Sequence, residues 1–157
     1  MDESLIIVAY LPAYADAFYE LNIEWLRKYF YVEPYDEEVL RNPDKYIINK
    51  GGHIFFAIID TSVVGTLALM PTASDGVLEL TKMAVSPELR GRKIGQKLMQ
   101  FSIDFARSEG FDALVLYSNT ILENAIYIYR KYGFKEVPLE ANGPYKRGNI
   151  KMILELI

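Results

Sequence analysis

The sequence predicts an α/β fold in which helices flank a mixed β-sheet, and three observations carry that prediction. Apolar runs at residues 54–59 and 63–69, joined by a short turn, are typical of a hairpin of two buried strands. Residues 77–85 suit a further strand, and a helix ending at Gly110 leads to the nearly all-apolar run 113–117. A strand, a helix and a second strand in that order make a right-handed crossover between parallel strands.

The amino-terminal third adds a strand and two helices. Residues 4–9 are a short apolar run that suits a first strand. Aromatic and aliphatic side chains then recur at helical spacing, which predicts a helix to about Tyr29 with a core-facing side; these residues are Tyr14, Phe18, Leu21 and Trp25. Asp36 would cap a second short helix, with Glu37 and Glu38 in its acidic first turn.

The carboxy-terminal part completes the sheet after the crossover. Residues 122–132 have the pattern of a last helix, and Gly133 is placed to end it. The runs 134–137 and 151–157 are the predicted closing strands. Ligands of such sheets bind at the carboxyl ends of the crossover strands, so we expect a site beside the loop that follows residue 85.

Composition restricts the classes of function. The 157 residues suit one domain, residues 1–157, with no linker or repeat to divide it. Because the chain has no cysteine and one histidine, His53, a thiolate or histidine-rich metal site is excluded, and we expect no metal. An acidic start and the lack of an apolar run of ~20 residues predict a soluble, cytoplasmic protein without a membrane partner. The net charge of −4 argues against nucleic acid as a partner and suits a cationic substrate.

The loop before the crossover helix has the composition of a phosphate site. Its glycines, Gly91 and Gly95, let an anion approach the main chain closely. Arg90, Arg92 and Lys93 add positive charge near the start of the helix, where the amide groups also attract anions. This stretch alone leaves one alternative open, which is a solvated basic loop before an ordinary amphipathic helix.

Residues on both sides of the loop make the pattern more specific. Residues 90–95 read Arg-Gly-Arg-Lys-Ile-Gly and follow a strand that ends in Ala84 and Val85. Asn119 follows the next strand, and residues 125–134 read Ala-Ile-Tyr-Ile-Tyr-Arg-Lys-Tyr-Gly-Phe. In this order the features resemble the GCN5-related N-acetyltransferase (GNAT) family, with its Q/R-x-x-G-x-G/A loop and its A-I/V-x-x-Y-x-x-x-G-F helix. Lys93 departs from the pattern because it stands where the family has its first glycine.

The resemblance implies a fold and a cosubstrate. The family's sheet is mixed and largely antiparallel, is flanked by helices, and splays open beside a central parallel β-α-β crossover to admit the pantetheine arm of coenzyme A. The chain would then be an acetyl-CoA-dependent N-acetyltransferase. The implied contacts of acetyl-CoA are Met83, Ala84, Val85, Arg90, Gly91, Arg92, Lys93, Ile94, Gly95, Gln96 and Asn119.

The same resemblance implies two catalytic roles. In this family an amine attacks the acetyl carbonyl directly, so the protein supplies orientation, a base and an acid. Tyr129 matches the tyrosine that protonates the departing thiolate. Glu79 is the candidate base; with strict alternation along its strand, its side chain would share a face with Thr81, Met83 and Val85. A water chain in place of Glu79 stays open.

The acceptor is less constrained than the cosubstrate. A small-molecule or peptide amine fits, and the chain could act as a homodimer. Residues 25–38 combine aromatic side chains with acids in the bend between the first two helices, which in this family forms one wall of the acceptor site. Aromatic faces and carboxylates suit cations, so we expect a second positive charge on the acceptor, held by Glu33 or a neighbouring acid such as Glu37.

Three alternatives stay open on sequence alone. Asn119 could form an Asx turn instead of binding pantetheine. A noncatalytic acyl-CoA-binding module of the same fold would keep the loop but show no turnover. A nucleotide site unrelated to coenzyme A is disfavoured, because neither G-x-G-x-x-G nor G-x-x-x-x-G-K-S/T occurs.

Overall fold

The computed structural model describes residues 4–141 and 145–157. The strands and helices that the sequence predicts all occur, with ends displaced by up to three residues, whereas the short helix α3 was not predicted. In chain order the elements are β1 (Leu5–Ala9), α1 (Ala15–Tyr29), α2 (Pro34–Arg41), α3 (Pro43–Tyr46), β2 (His53–Ile59), β3 (Ser62–Pro71), β4 (Val77–Val85), α4 (Ile94–Ser108), β5 (Ala113–Ser118), α5 (Glu123–Lys131), β6 (Lys135–Val137) and β7 (Ile150–Glu155).

The strands form a seven-stranded sheet in the order β1-β2-β3-β4-β5-β7-β6. Within the part of the chain described, β4 and β5 are the parallel pair, and the other neighbours are antiparallel. The helix α4 connects the parallel strands, as the crossover pattern predicts. The prediction of a mixed, largely antiparallel sheet with a central β-α-β unit is therefore confirmed.

Helices cover both faces of the sheet and bury an apolar core on each. On one face α4 and α5 pack over a core that includes Leu67, Leu98 and Met99. On the other face α1 and α2 pack over a core that includes Phe18 and Phe56. The amphipathic spacing of the helices explains this arrangement, because each buries one apolar stripe against the sheet.

The two parallel strands separate after three paired residues. Pairing runs from Val77 with Ala113 to Glu79 with Val115 and then stops. Beyond that point, among residues 4–141 and 145–157, β4 pairs with β3 alone, and β5 pairs with β7 alone as far as Ser118. The separation leaves a gap at the carboxyl ends of the crossover strands, which is where we expected a ligand.

A β-bulge interrupts β4 just inside this gap. On β3, Thr66 pairs with Ala84 and Ala68 pairs with Thr81, so β4 has one residue more than β3 between the two pairs. Lys82 lies in the extra length and adopts a left-handed backbone, with φ of +57°. An extra residue shifts the alternation of side chains by one, so the positions after the bulge exchange faces.

The bulge places Glu79 on the opposite face from the residues it was expected to join. The core under α4 takes side chains from both sides of the bulge, namely Leu78, Leu80, Met83 and Val85. Because Glu79 lies between Leu78 and Leu80, its side chain points to the α1 and α2 face. The expectation that Glu79 shares a face with Met83 and Val85 is therefore wrong, and strict alternation is the assumption that failed.

Asp36 has a different local role from the predicted one. The helix α2 begins at Pro34 after Glu33, three residues earlier than expected, so Asp36 lies inside its first turn and is not the N-cap residue. Its Oδ2 accepts a hydrogen bond from the Glu33 amide at 2.9 Å. Proline suits the first helical position because its fixed φ matches the helix and its missing N–H would have no intrahelical partner there.

None of the helices in the described part of the chain is both long and apolar enough to cross a bilayer.

Candidate active site

Two adjoining cavities occupy the gap between β4 and β5. The larger, of about 750 Å³, is lined by the end of β4, the loop to α4, the start of α4 and α5, and we call it the loop groove. The smaller, of about 200 Å³, is lined by α1, Asp36, the β4 bulge, the end of β5 and part of the segment before β7, and we call it the inner pocket. Both cavities share the lining residues Trp25, Met83, Leu122, Ala125 and Tyr129.

Most of the predicted cosubstrate contacts line the loop groove. The strand residues Met83, Ala84 and Val85 form its floor, and Arg90, Gly91 and residues 93–96 form its loop wall. Arg92 is not among the lining residues, and Asn119 lines the inner pocket instead. The structure therefore brings the loop and the strand end together, as the motif requires.

The loop backbone has a left-handed conformation, which favours glycine, at positions 91 and 93. Gly91 and Lys93 both have positive φ, at +89° and +64°. Lys93 is the N-cap residue of α4, and the left-handed conformation costs an L-residue about 1–2 kcal/mol. No described side chain caps this helix start, so the first-turn amides of residues 94–96 are available to an anion in the groove.

Arg90 has an orientation that the sequence did not predict. Its guanidinium pairs with Glu24 of α1 and lies 5.8 Å from the ring centroid of Tyr29. Its Nη1 is buried and has no hydrogen-bond partner among the described residues. Because an unpaired buried donor is costly, an anionic oxygen in the groove would satisfy it. On this observation the residues of the loop groove fit a ligand that carries phosphate.

Tyr129 lies where the two cavities meet. Its ring packs at 6.1 Å from that of Phe134, under the sheet edge. Burial raises the pKa of Tyr129 to about 12, and the nearby Ser118 hydroxyl partly offsets this rise. The phenol therefore stays protonated throughout the neutral pH range and is available as a proton donor to either cavity.

Glu79 lies behind the inner pocket and not in its wall. Its Oε2 accepts a hydrogen bond from the Tyr145 hydroxyl at 2.9 Å, and Tyr145 does line the pocket. Burial raises the pKa of Glu79, while Lys82, Tyr145 and Thr81 each lower it. A group in the pocket can therefore exchange a proton with Glu79 through the Tyr145 hydroxyl.

Sequence reasoning did not identify Lys82 and Tyr145 as site residues. Lys82 lines the inner pocket, and its Nζ donates to the Tyr145 hydroxyl at 3.3 Å. A lysine in the middle of a strand that also contributes Leu78, Leu80 and Ala84 to the core is a signal that could have drawn attention to it. Tyr145 gives no such signal, because only the tertiary fold brings it to β4.

The acids of the bend after α1 are already engaged in ion pairs. Arg147 binds Asp36 through two hydrogen bonds, of 2.8 and 3.0 Å, and contacts Glu33 at 3.1 Å. Glu37 pairs with Arg41 and accepts a hydrogen bond from Tyr19, away from both cavities. This arrangement argues against the expected second cation on the acceptor, because these carboxylates have internal counter-ions.

Asn119 and His53 have structural surroundings that explain them without a ligand. The side-chain oxygen of Asn119 accepts a hydrogen bond from the Ile121 amide at 2.9 Å, as in an Asx turn. Its Nδ2 donates a hydrogen bond to the Arg147 carbonyl oxygen at 2.6 Å. The His53 ring lies 4.7 Å from Phe105 and lines neither cavity. Within residues 4–141 and 145–157, no group of three or more His, Asp or Glu side chains could hold a metal ion.

The span from the start of α1 to the residue before β6 matches a known family. Residues 15–134 fit the model of the acetyltransferase (GNAT) family. This span includes the loop, α4 and Tyr129. The chain belongs to this family. The resemblance that the motifs predict is thereby confirmed, and the splayed strands agree with the fold that it implies.

Similar proteins extend this assignment. A probable N-acetyltransferase camello of Xenopus tropicalis is 32% identical over 138 residues, which cover 87% of this chain and 58% of the relative. The chain spans about half the length of the curated relatives it matches. The structure of a GNAT-family acetyltransferase from Staphylococcus aureus has a TM-score of 0.86 at 24% identity, and the superposition covers 98% of this chain and 100% of the Staphylococcus chain. The PaiA N-acetyltransferase of Thermoplasma acidophilum, solved in complex with coenzyme A, has a TM-score of 0.74 at 20% identity, covering 97% and 99%. These two likenesses show the fold.

Proposed function

We propose that this chain transfers the acetyl group of acetyl-CoA to a primary amine through a ternary complex, with residues 1–157 as the acetyltransferase domain. The observation that carries the proposal is the position of Tyr129, at the meeting of the loop groove and the inner pocket. A cosubstrate in the groove and an acceptor in the pocket would meet beside a protonated hydroxyl. Family membership supports the reaction type.

The loop groove has the donors that acetyl-CoA requires. When bound, acetyl-CoA supplies the activated acetyl thioester. The amides of residues 94–96 and Nη1 of Arg90 would hold its pyrophosphate. The edge of β4 from Met83 to Val85 has no strand partner on the gap side within the described residues, so its backbone can pair with the pantetheine amides as with an added strand.

The residues of the inner pocket would orient the amine, and residues in and behind the pocket would donate and accept the protons of the reaction. Tyr129 would donate its proton to the sulfur as the C–S bond breaks. Glu79 would accept the proton that the amine loses, and the Tyr145 hydroxyl, which donates to Glu79 Oε2, would relay that proton. Proton loss through water alone is the alternative, and Glu79→Gln separates the two because only the Glu79 route depends on the carboxylate.

A screen of amines tests the proposed function. The protein with acetyl-CoA is offered polyamines, amino sugars, amino acids and peptide amino termini, and free coenzyme A is measured. We expect release with at least one amine class and not without an amine. Tight binding of coenzyme A with no release in any case would indicate the noncatalytic acyl-CoA-binding module instead.

A further inference from the structure

Lys82 is a basic side chain in the inner pocket to which the proposed function assigns no role. The left-handed backbone of the β4 bulge, with φ of +57°, presents its side chain to this pocket. Its Nζ donates to the Tyr145 hydroxyl at 3.3 Å and lies 4.9 Å from the Tyr145 ring centroid. The next residue, Met83, lines both cavities, so Lys82 lies close to the place where acceptor and cosubstrate would meet.

Among the described residues, the amino group of Lys82 has no direct counter-ion. The charged groups facing it are Glu79 on its own strand, Asp36 from α2 and Arg147 from the segment before β7. Among the described residues, no carboxylate oxygen lies within 4.0 Å of Nζ, and residues 142–144 are Asn, Gly and Pro by sequence. Asp36 is bound by Arg147. Burial lowers the pKa of Lys82, against the opposing effect of the two carboxylates.

Tyr145 connects Lys82 to Glu79. Its hydroxyl donates to Glu79 Oε2 at 2.9 Å, accepts from Lys82 at 3.3 Å, and lies 3.3 Å from Thr81 Oγ1. Burial raises the pKa of Tyr145 well above its ordinary value, so the phenol can pass a proton on only by accepting another. The three side chains form a continuous path from the inner pocket to a carboxylate behind it, with the base oriented by its neighbours.

We propose that neutral Lys82 is the base that takes a proton from the acceptor's ammonium group, and that Tyr145 relays a proton from Lys82 to Glu79. The inference rests on the proposed acetyl transfer. The ammonium gives one proton to Lys82 and reacts as the free amine. Its nitrogen forms the bond to the acetyl carbon while the C–S bond breaks, and Tyr129 protonates the sulfur. The second proton of the amine replaces the one that Tyr129 gave, so each turnover releases one proton through Glu79.

A labelling measurement tests the charge state of Lys82 without an acceptor. The protein is treated with a limiting amount of acetic anhydride at a series of pH values, and mass spectrometry follows the labelling of Lys82 and of the exposed Lys135. We expect the pH midpoint of Lys82 to lie at least about one unit below that of Lys135. Equal midpoints would overturn the inference, whichever amine proves to be the acceptor.

A chemical substitution tests whether Lys82 acts as a base or only as a positive charge. Because the chain has no cysteine, Lys82→Cys creates a single alkylation site. Alkylation with bromoethylamine restores an amine that is less basic than lysine, whereas (2-bromoethyl)trimethylammonium installs a fixed positive charge that carries no proton. We expect the first product to regain at least about tenfold in kcat, with the acid limb of its pH profile at lower pH than in the unmodified protein, and the second to stay inactive.

The controls distinguish failure of this inference from failure of acetyl transfer. Equal recovery by both alkylated proteins would show that positive charge alone is needed, and would overturn the role of Lys82 as base. The Lys135→Cys variant, alkylated in the same two ways, shows whether the chemistry itself harms the protein. Unmodified protein is assayed first with the amine from the screen. If it releases no coenzyme A with any amine, acetyl transfer is overturned, while the labelling midpoints still report on Lys82 itself.

Discussion

Tyr129 illustrates at the residue scale how burial determines chemistry. With a pKa of about 12 the phenol carries its proton at neutral pH, as a general acid must. Tyr129→Phe should lower kcat at least about tenfold and leave acetyl-CoA affinity nearly unchanged, because the proton is lost while the ring remains. Steady-state kinetics and titration of coenzyme A binding measure the two effects. Tyr132→Phe, three residues along and outside both cavities, is the matched control, and an unchanged kcat in Tyr129→Phe would remove the acid role.

Glu79 and Lys82 should both reduce stability at neutral pH. Burial raises the pKa of Glu79 above 4.5, so its favourable contribution is present at low pH and is lost as pH rises through the folded-state pKa. Burial lowers the pKa of Lys82 below 10.5, so its contribution is present at high pH and is lost as pH falls through the folded-state pKa.

The double variant Glu79→Gln/Lys82→Met tests this cost. Near neutral pH it should raise the free energy of unfolding by about 0.5–2 kcal/mol, because two ionisable groups whose ionised forms are disfavoured by burial are removed together. Urea denaturation measures the change, and the same variant should lose acetyl transfer. A lower free energy of unfolding than in the unmodified protein would mean that the hydrogen bonds of the two side chains with Tyr145 outweigh the cost of burying them.

Among the elements, the start of α4 contains a glycine, Gly95, whose replacement should stabilise the helix and weaken ligand binding. A β-carbon added there would lie 3.7 Å from the Met83 sulfur and 3.8 Å from a Val85 methyl, which is ordinary contact. Gly95→Ala should therefore raise the free energy of unfolding by about 0.5–1 kcal/mol, because alanine favours the helix. The same methyl group enters the loop groove, so affinity for coenzyme A should fall at least about tenfold.

The control for Gly95→Ala has to stabilise the same helix without reaching the groove. Ser102→Ala does so, because its hydroxyl is buried without a partner among the described residues. Gly52 is unsuitable, since an added β-carbon would lie 2.8 Å from Ile47 and from the Leu69 carbonyl oxygen. Unfolding by urea and calorimetric titration with coenzyme A measure both variants; equal affinities in the two would contradict the assignment of the groove.

For the whole molecule, Arg147 joins the segment before β7 to the start of α2. Its partner Asp36 is 2% exposed, so removal of the guanidinium leaves a buried carboxylate unpaired. Arg147→Ala should lower the free energy of unfolding by about 3–5 kcal/mol. Arg130→Ala, which breaks an exposed pair of 3.7 Å with Glu136, should cost less than about 1 kcal/mol.

A second substitution tells whether the unpaired charge is the cause. Asp36→Asn added to Arg147→Ala should recover part of the loss in a double-mutant cycle, because it removes the buried charge. Additive losses in that cycle, measured by urea denaturation, would instead indicate that Arg147 acts through packing alone.

Local patterns in the sequence determined the elements and the loop groove. The strands and helices follow from apolar spacing and turn residues, which act over a few neighbouring positions. The loop from Arg90 to Gly95 and the helix with Tyr129 are also contiguous motifs, and all of the loop except Arg92 lines the groove together with Tyr129. Even the unusual Lys93 keeps the backbone conformation that the motif requires, because conformation at one residue depends mainly on its own turn.

Only the tertiary structure decided the chemistry of the inner pocket. One extra residue in β4 places Glu79 on the opposite face from Met83 and Val85, and it presents Lys82 to the pocket. No local pattern specifies this bulge, because it arises from pairing with β3. Likewise, Asp36 and Arg147 are 111 residues apart in sequence, so their ion pair depends on the packing of distant segments. Acids that suggested a cation site from sequence therefore serve the fold, because charges buried on folding must find partners wherever the chain brings them.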